Sequence, residues 1–216
     1  MANVRTFSVS RDGNVNLSPD FRVHEFRSRD GADQVLIDLD MIPVLQRFRE
    51  YVEAPVSISS AYRTPSYNAS VGGAPTSYHV QGRAFDIPFS PSYRNLTSRN
   101  LMANFFNSLG VTGIIVYPSF VHIDSRPTKY HATNTGTPLN LGRVHIPYRG
   151  LLRRGSTGTD VGILQFKLNS LGYSAGNADM SFGPMTENAV RQFQANNGLT
   201  VDGIVGSLTW NRLFNT

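Results

Sequence analysis

Two histidines and an aspartate are the residues of this chain whose types and spacing most clearly predict chemistry. His79 and Asp86 lie seven residues apart within SYHVQGRAFD (residues 77–86), and His122 follows in VHID (residues 121–124). Two imidazoles and a carboxylate are a common ligand set for catalytic zinc, whose fourth position is left for water. The chain has no cysteine, so any metal must be held by His, Asp or Glu. On spacing alone, purely structural roles for the three residues stay open.

Two further residues near this set could contact a substrate. Arg63 carries a planar guanidinium, which can hold a carboxylate through two parallel hydrogen bonds. Ser77 offers a hydroxyl two residues before His79. The alternative for Arg63 is an exposed arginine paired with a nearby acid, and the alternative for Ser77 is to shape a turn.

Asp124 is the candidate catalytic acid or base. Alternate residues of a strand share one face, so Phe120, His122 and Asp124 are predicted to point to the same side. The carboxylate of Asp124 could then approach the metal site. The alternative is a supporting role, in which it hydrogen-bonds a ligand imidazole and fixes its tautomer.

The elements that must position these residues are a mixture of helices and short strands. Apolar residues at three- and four-residue spacing predict helices over 38–52 and 95–109. Alternation predicts a strand over 56–60, and two short apolar runs joined by Pro-Ser predict a hairpin of strands 113–117 and 120–124. We therefore predict an α+β domain with a small antiparallel sheet.

The chain changes character near residue 149. All five histidines precede residue 146, and amphipathic segments dominate afterwards. DMSFGPMTEN (residues 179–188) returns as DGIVGSLTWN (residues 202–211), 23 residues later, as two similar loops that each lead into a helix. We predict two domains, 1–149 and 150–216, of which the second is a small all-α domain of three helices.

The N-terminal motifs resemble those of a known enzyme family. SYHVQGRAFD followed by VHID resembles the signature of the zinc D-alanyl-D-alanine peptidases, whose wider group includes lysostaphin-type enzymes and the hedgehog signalling domain. ISSAYRTP (residues 58–65) and LSPDF (residues 17–21) match the same family, so the resemblance covers about residues 17–127. It implies that His79, Asp86 and His122 bind zinc and that Arg63 holds substrate.

The sequence departs from this family at the general base. Several relatives have a glutamate two residues before the last zinc histidine, and others a histidine five residues before it. Those positions hold Phe120 and Tyr117 here. Tyr117, His131 and His24 are the candidate helpers. The departure keeps open an alternative function, a zinc-containing protein that binds the cell wall without catalysis.

The tail resembles the peptidoglycan-binding domain found at the ends of bacterial and phage wall hydrolases. The resemblance rests on motifs such as LRRGS (residues 152–156), FGPMT (182–186) and VDGIVG (201–206). It departs at ADMS (residues 178–181), where the family repeats Asp-Gly. The alternative is a helical interaction domain without a fixed ligand.

Charge and hydropathy narrow the partners. The net charge of +5 favours anionic partners, but the arginines are scattered, so we do not expect nucleic acid binding. No apolar stretch approaches the roughly 20 residues of a membrane-spanning helix, so we do not expect membrane insertion. Peptidoglycan is the predicted partner.

These observations predict a monomeric zinc peptidase that hydrolyses a peptide bond in peptidoglycan stem peptides or crosslinks and is anchored by its tail. It would be of the D,D-carboxypeptidase or endopeptidase type. The start of the chain lacks a secretory signal, which favours a phage endolysin released from the host cytoplasm through a holin. The alternative is a secreted cell-wall enzyme.

Overall fold

The computed structural model describes residues 2–216, and we call 2–149 the N-terminal domain and 150–216 the C-terminal domain, following the predicted boundary. The strands are Val4–Ser8 (β1), Asn16–Ser18 (β2), Phe21–Arg22 (β3), Gln34–Asp38 (β4), Ala84–Pro88 (β5), Gly113–Val116 (β6), Phe120–Asp124 (β7) and Tyr130–Thr133 (β8). The helices are Val9–Asp12 (α1), Ile42–Val52 (α2), Pro65–Ser70 (α3), Arg99–Leu109 (α4), Thr159–Ser170 (α5), Pro184–Asn196 (α6) and Ser207–Phe214 (α7).

A four-stranded sheet with the order β5-β7-β6-β8 forms the centre of the N-terminal domain. The predicted hairpin is confirmed, since β6 and β7 pair antiparallel with Ile114 opposite Ile123. β5 pairs antiparallel with the other edge of β7. The sequence did not predict β8, which runs parallel to β6. The α+β class is therefore confirmed, and the predicted small antiparallel sheet (β5-β7-β6) is extended by one parallel strand. Two separate two-stranded ribbons, β1-β4 and β2-β3, complete the domain.

Three predicted elements differ in extent from the observed ones. The strand over 56–60 is reduced to one bridge, in which Ser60 pairs with Asp86 at the edge of β5. The helix over 38–52 becomes a 3-10 turn followed by α2, which has Pro43 in its first turn. The helix over 95–109 begins only at Arg99, because the Ser98 side chain accepts a hydrogen bond from Leu101 N and so caps it.

Aromatic side chains join the helices of the N-terminal domain into one core. The ring of Phe48 on α2 lies 5.4 Å from that of Phe105 and 4.9 Å from that of Phe106 on α4. α4 also packs against β6 and β7. The metal-binding candidates on β5 and β7 therefore lie on a sheet that is supported by α4 and the aromatic core behind it.

The C-terminal domain has the three predicted helices, α5, α6 and α7, and it docks directly on the N-terminal domain. α5 packs along α2, where Gly162 faces Pro43. Arg47 of α2 is fully buried at this interface, and it donates to the carbonyl of Pro147 and pairs with Asp160 at 3.3 Å. The two domains thus form one packed unit.

Further hydrogen bonds cross the same interface. Lys167 Nζ donates to the Ser108 carbonyl at 2.9 Å, and burial lowers the pKa of this lysine to about 8. Trp210 Nε1 donates to the Ile146 carbonyl at 2.8 Å. Within residues 2–216, no helix combines the length and apolar character that a membrane span requires.

Candidate metal centre

The sheet register places two of the predicted ligands side by side. Asp86 on β5 is the direct antiparallel partner of His122 on β7. His79 lies in the loop before β5. The backbone carbonyl of His79 accepts a hydrogen bond from Arg63 N, which fixes this part of the loop. All three side chains are buried, with exposures of 3% for His79, 4% for Asp86 and 8% for His122. Residues far apart in the chain are thus brought together as predicted.

Three potential ligand atoms face one another at this point. His122 Nδ1 lies 2.8 Å from Asp86 Oδ1, and His79 Nε2 lies 3.3 Å from the same oxygen. The two imidazole nitrogens are 3.2 Å apart. Nitrogen and oxygen ligands bound tetrahedrally at about 2.0–2.1 Å from one zinc ion are about 3.3 Å apart. The spacing therefore fits a single small cation.

Hydrogen bonds on the outer side of each imidazole fix its orientation. His79 Nδ1 donates to the carbonyl of Ala61 at 2.6 Å, which leaves the Nε2 lone pair directed at the centre. His122 Nε2 donates to Asp124 Oδ2 at 3.0 Å, which leaves Nδ1 directed there. A histidine that binds metal typically donates its other ring N–H in this way.

The electrostatics of the centre favour a positive charge. Three atoms that can accept a proton or a metal ion converge there, and either one would relieve the repulsion between their lone pairs. Burial acts to lower the pKa of His122, but hydrogen bonds with Asp124 and Asp86 raise it above the ordinary value. Zn²⁺ suits a set of two imidazoles and one carboxylate. The residues present therefore fit the metal.

Arg63 supports the aspartate ligand from behind. Its Nη2 donates to Asp86 Oδ2 at 2.9 Å, and its Nε donates to Ser60 Oγ at 2.8 Å. Burial acts to raise the pKa of Asp86, yet hydrogen bonds with His122 and His79 hold it below its ordinary value. The carboxylate is thus ionised, with Oδ2 bound to Arg63 and Oδ1 directed at the centre.

Asp124 lies on the far side of His122 from the centre. It is fully buried, and its carboxylate accepts hydrogen bonds from His122 Nε2 and from Arg126 Nε at 2.8 Å. A Cβ at Gly113, its partner on β6, would come within 2.0 Å of Asp124 Oδ1, so only glycine leaves room for the carboxylate. Burial acts to raise the pKa of Asp124, but the bonds from Arg126 and His122 lower it to about 2. This arrangement matches the supporting role that the sequence left as the alternative.

An open cleft of about 490 Å³ leads to the three ligands. Arg63, Ser77, Tyr117 and Phe120 line it. Ser77 Oγ also accepts a hydrogen bond from His79 N at 3.3 Å, so this serine shapes the turn as well as facing the cleft. The Tyr117 ring stacks on Phe120 with centroids 4.3 Å apart. Burial, reinforced by the charge of Asp86, raises the pKa of Tyr117.

The structure separates the three candidate helpers. Tyr117 lines the metal cleft, as described above. His131 lies on β8 with Nε2 3.3 Å from the Val111 carbonyl, and burial lowers its pKa. His24 pairs through Nδ1 with the Gly13 carbonyl and lines a different cavity. Of these three described residues, Tyr117 is the one that the fold brings to the metal cleft.

Arg126 is a further residue of the metal cleft, and no motif in the sequence pointed to it. This arginine binds Asp124 and lines the metal cleft, and its guanidinium lies 4.7 Å from the centre of the Tyr130 ring. The signal available in the sequence was its position two residues after Asp124, where a turn lets the backbone N–H and the side chain reach the same carboxylate.

Comparisons with known proteins agree with this geometry. Residues 16–124, just over half of the chain, match the family model described as peptidase M15, and residues 157–213 match a model for a peptidoglycan-binding domain. A zinc D-Ala-D-Ala carboxypeptidase of Streptomyces albus G is 38% identical over 71 residues, which cover 31% of this chain and 27% of that protein. An uncharacterized protein of Kitasatospora aureofaciens is 47% identical over 64 residues, covering 29% of this chain and 54% of the relative. The chain thus spans about half or less of these curated relatives.

Solved structures match over similarly short segments. A peptidoglycan-binding protein from Clostridioides difficile, in complex with glutamine hydroxamate, is 45% identical over 30% of this chain and 40% of its own, with a TM-score of 0.29. A fused Zn-dependent amidase/peptidase/peptidoglycan-binding protein from Clostridium acetobutylicum is 43% identical over 32% of this chain and 31% of its own, with a TM-score of 0.30.

The predicted zinc cofactor is confirmed by the family and by the donor set of His79, Asp86 and His122. The C-terminal helices are confirmed as a peptidoglycan-binding region. The chain belongs to the peptidase M15 family and carries a C-terminal peptidoglycan-binding domain.

Proposed function

We propose that this protein is a zinc-dependent peptidase that hydrolyses a peptide bond in the stem peptides or crosslinks of peptidoglycan. The observation that carries the proposal is the convergence of His79, Asp86 and His122, whose ligand atoms all lie within 4.8 Å of one another at the base of an open cleft. Membership of the peptidase M15 family supports the reaction class. The C-terminal domain supports peptidoglycan as the polymer that carries the substrate.

The chain's own residues would prepare the centre before substrate arrives. The carbonyl of Ala61 and the carboxylate of Asp124 fix the two imidazoles with one nitrogen each directed inward. Arg63 holds one oxygen of Asp86, so that the other stays in place. Zinc bound by these three ligands would polarise the scissile carbonyl and activate water for attack.

Tyr117 is the group that we propose for proton transfer to the leaving amine. It carries a phenol into the metal cleft, at the position where relatives have a histidine, and its raised pKa keeps the phenol protonated near neutral pH. We assign Asp124 a positioning role, because it touches His122 on the side away from the cleft. Arg63 and Ser77 line the cleft where substrate carboxylate and amide groups would bind.

The C-terminal domain would hold the enzyme on its insoluble substrate. A second binding site on the same polymer raises the local concentration of peptide bonds at the metal centre. Because α5 is packed on α2, this domain has a fixed orientation relative to the metal cleft. Binding of the wall would therefore position the cleft as well as retain it.

The proposal is tested with purified peptidoglycan sacculi and the full-length protein. Zinc-loaded protein should release new amino groups from the sacculi, and mass spectrometry of the fragments would name the bond cleaved and so separate carboxypeptidase from endopeptidase action. Chelation and His79→Ala should each abolish the release. Zinc-loaded protein that binds sacculi without releasing amino groups would contradict the proposal.

That outcome would instead favour the second candidate, a zinc-containing wall-binding protein. The observation behind it is the pair of stacked rings, Tyr117 and Phe120, at the two positions where relatives have a histidine or a glutamate. Sedimentation with sacculi, unchanged by chelation, would accompany it.

The endolysin role and the monomeric state stay predictions with direct tests. Expression in the host cytoplasm should be harmless until a holin is co-expressed, and lysis should then follow. A protein that lyses cells only when exported would favour the secreted alternative. Sedimentation equilibrium near the chain mass of 23.8 kDa would establish the monomer.

A further inference from the structure

A second cleft, larger than the one at the metal centre, lies between the two domains. Its volume is about 590 Å³. We call it the interdomain cleft and define it by lining residues from both domains: Asp40, Thr112 and Arg126 from the N-terminal domain, and Tyr173, Asn177 and Met185 from the C-terminal domain. Ligand sites in proteins occur preferentially at such domain junctions.

Arg126 connects this cleft to the metal cleft, because it lines both. The arginine is held in place from several sides. Asp124 accepts its Nε–H at 2.8 Å, and the rings of Tyr130 and Tyr78 lie 4.7 and 5.1 Å from its guanidinium carbon. Because this fixed guanidinium lines both clefts, the two clefts adjoin at Arg126.

The interdomain cleft is formed before any ligand binds. Asp40 Oδ1 accepts a hydrogen bond from Ala178 N of the C-terminal domain at 2.8 Å. The buried pairing of Arg47 with Asp160 holds the same two domains together. A rigid cleft loses little conformational entropy when it binds a ligand. The cost of ordering the protein is therefore small when a ligand binds there.

The chemistry of the walls is mixed in a way that fits a polymer of sugars and short peptides. A carboxylate, a guanidinium, a hydroxyl and an amide supply donors and acceptors, while Tyr173 and Met185 supply apolar surface. Sugars and stem peptides have hydroxyl and amide groups in alternation with apolar faces. A nucleic acid would require a cluster of basic residues, and the acidic Asp40 works against it.

We propose that the interdomain cleft binds the part of a peptidoglycan fragment that extends from the peptide bond held at the metal centre. Both domains then grip one and the same chain. This inference rests on the proposed function for the identity of the polymer. It adds a binding site and predicts that crosslinked fragments, which are long enough to occupy both clefts, are better substrates than short free peptides.

The internal repeat of the C-terminal domain provides a matched pair of test positions. Met185 and Leu208 are each the second residue of the helix that follows a repeat loop, α6 and α7 respectively. Both side chains are exposed, at 59% for Met185 and 76% for Leu208, so substitution of either should leave the fold intact. Met185 lines the interdomain cleft, and Leu208 is not among the residues that line it.

The experiment measures binding of the full-length protein to soluble crosslinked disaccharide-peptide dimers by calorimetry, with chelator present so that no hydrolysis occurs. Met185→Glu should weaken binding by about tenfold or more, because it places a charge on the apolar wall, whereas Leu208→Glu should change it by less than about twofold. Asn177 is exposed and lines the cleft, so Asn177→Trp should narrow the cleft and weaken binding by a similar factor. Equal effects of Met185→Glu and Leu208→Glu, or no effect of either cleft variant, would overturn the inference.

Kinetics with zinc-loaded protein separate this inference from the proposed function. Met185→Glu should raise KM for crosslinked dimers and leave kcat/KM for a short free stem peptide unchanged. If no variant or wild-type protein cleaves either substrate while the binding difference persists, the proposed hydrolysis fails and the cleft assignment stands. If cleavage is normal and both substrates respond alike, the cleft assignment fails and the proposed function stands.

Discussion

Two groups of buried polar side chains in this molecule differ in how they are satisfied. In the C-terminal domain, the amide of Gln194 is complete within the protein: Nε2 donates to Asp202 Oδ1 and the Ile204 carbonyl, and Oε1 accepts from Gly203 N. Gln165 makes the same set of bonds to the first repeat loop, including Asp179 Oδ1 and Met180 N. At the metal centre, by contrast, His79, Asp86 and His122 turn acceptor atoms toward one another.

The difference distinguishes buried polar groups that stabilise the fold from buried polar groups that are available to bind a ligand. A neutral amide with every donor and acceptor paired fixes the position of a loop and requires nothing further. A carboxylate and two imidazoles whose outer atoms are paired and whose inner atoms converge are completed only when a proton or a metal ion lies between the inner atoms. The outer bonds of the metal centre are as complete as those of the glutamines. Its inner atoms are therefore the ones available to bind a metal ion.

The largest effect should come from Asp86→Asn, which removes the anionic ligand while keeping the side-chain shape. Loss of a direct ligand should exceed the 10- to 100-fold loss of metal affinity typical for residues that only support ligands, so we expect a reduction of more than about 100-fold. Zinc content after dialysis and amino-group release from sacculi measure it. Gln192→Glu, at an exposed position of the C-terminal domain, is the control that should leave zinc content unchanged. Full zinc occupancy in Asp86→Asn would contradict the assignment of this ligand.

The next largest effect is on stability and concerns the buried glutamines of the C-terminal domain. Gln194→Leu should lower the free energy of unfolding by about 3 kcal/mol, because buried partners such as Gly203 N lose their hydrogen bond. Urea denaturation measures the change. Gln192→Leu, at an exposed position on the same helix, should stay within about 0.5 kcal/mol of the wild type. Zinc affinity should be unchanged in both variants, and a parallel loss of zinc would show that the two polar groups are coupled.

Tyr117→Phe tests a polar group of the cleft that holds nothing in place. If the phenol transfers a proton, kcat should fall by about 100-fold with KM and zinc content unchanged. His131→Gln is the control, since His131 lies outside the metal cleft. Wild-type kcat in Tyr117→Phe would remove the phenol from the mechanism and leave the position of the general acid to another group.

Asp124→Asn asks whether this residue acts on substrate or on His122. A positioning role predicts a zinc affinity lower by about 10- to 100-fold, and a kcat that returns to nearly the wild-type value once zinc is in excess. Activity titrated against free zinc measures both quantities. A low kcat that excess zinc does not restore would return Asp124 to the catalytic role that the sequence first predicted.

The sequence predicted those parts of the fold and site that depend on local pattern. The hairpin of β6 and β7, the repeat loops and the three C-terminal helices could be predicted from spacing and periodicity. The ligand set of His79, Asp86 and His122 was predicted from the motifs that resemble those of the zinc peptidases. The motif of the repeat also located both loops that the glutamines bind, although not the glutamines' part in binding them.

What the sequence did not predict depends on contacts between distant segments. Strand β8 forms because its backbone hydrogen-bonds to the edge of β6. Its sequence has no alternation of apolar and polar residues that would predict a strand. Arg47 looks like a solvent-facing helix residue until Asp160 and the Pro147 carbonyl surround it. The interdomain cleft is likewise a product of docking. Its lining residues come from segments more than 100 positions apart, such as Asp40 and Met185.

The smallest effect lies within the repeat itself, at a position where both copies have a positive φ but only one has glycine. Gly203 has φ +73°, and Met180 at the equivalent position has φ 62°, a conformation that a residue with a Cβ adopts at a penalty of roughly 1–2 kcal/mol. Met180→Gly relieves this strain. Two effects oppose the gain: the greater entropy of the unfolded chain costs about 0.4–1 kcal/mol of stability, and side-chain packing near Pro43 is lost. We expect a net gain in unfolding free energy of no more than about 0.5 kcal/mol, whereas Gly203→Met should cost about 1–2 kcal/mol. A loss of more than 1 kcal/mol in Met180→Gly would show that the methionine side chain contributes more to domain docking than its backbone strain takes away.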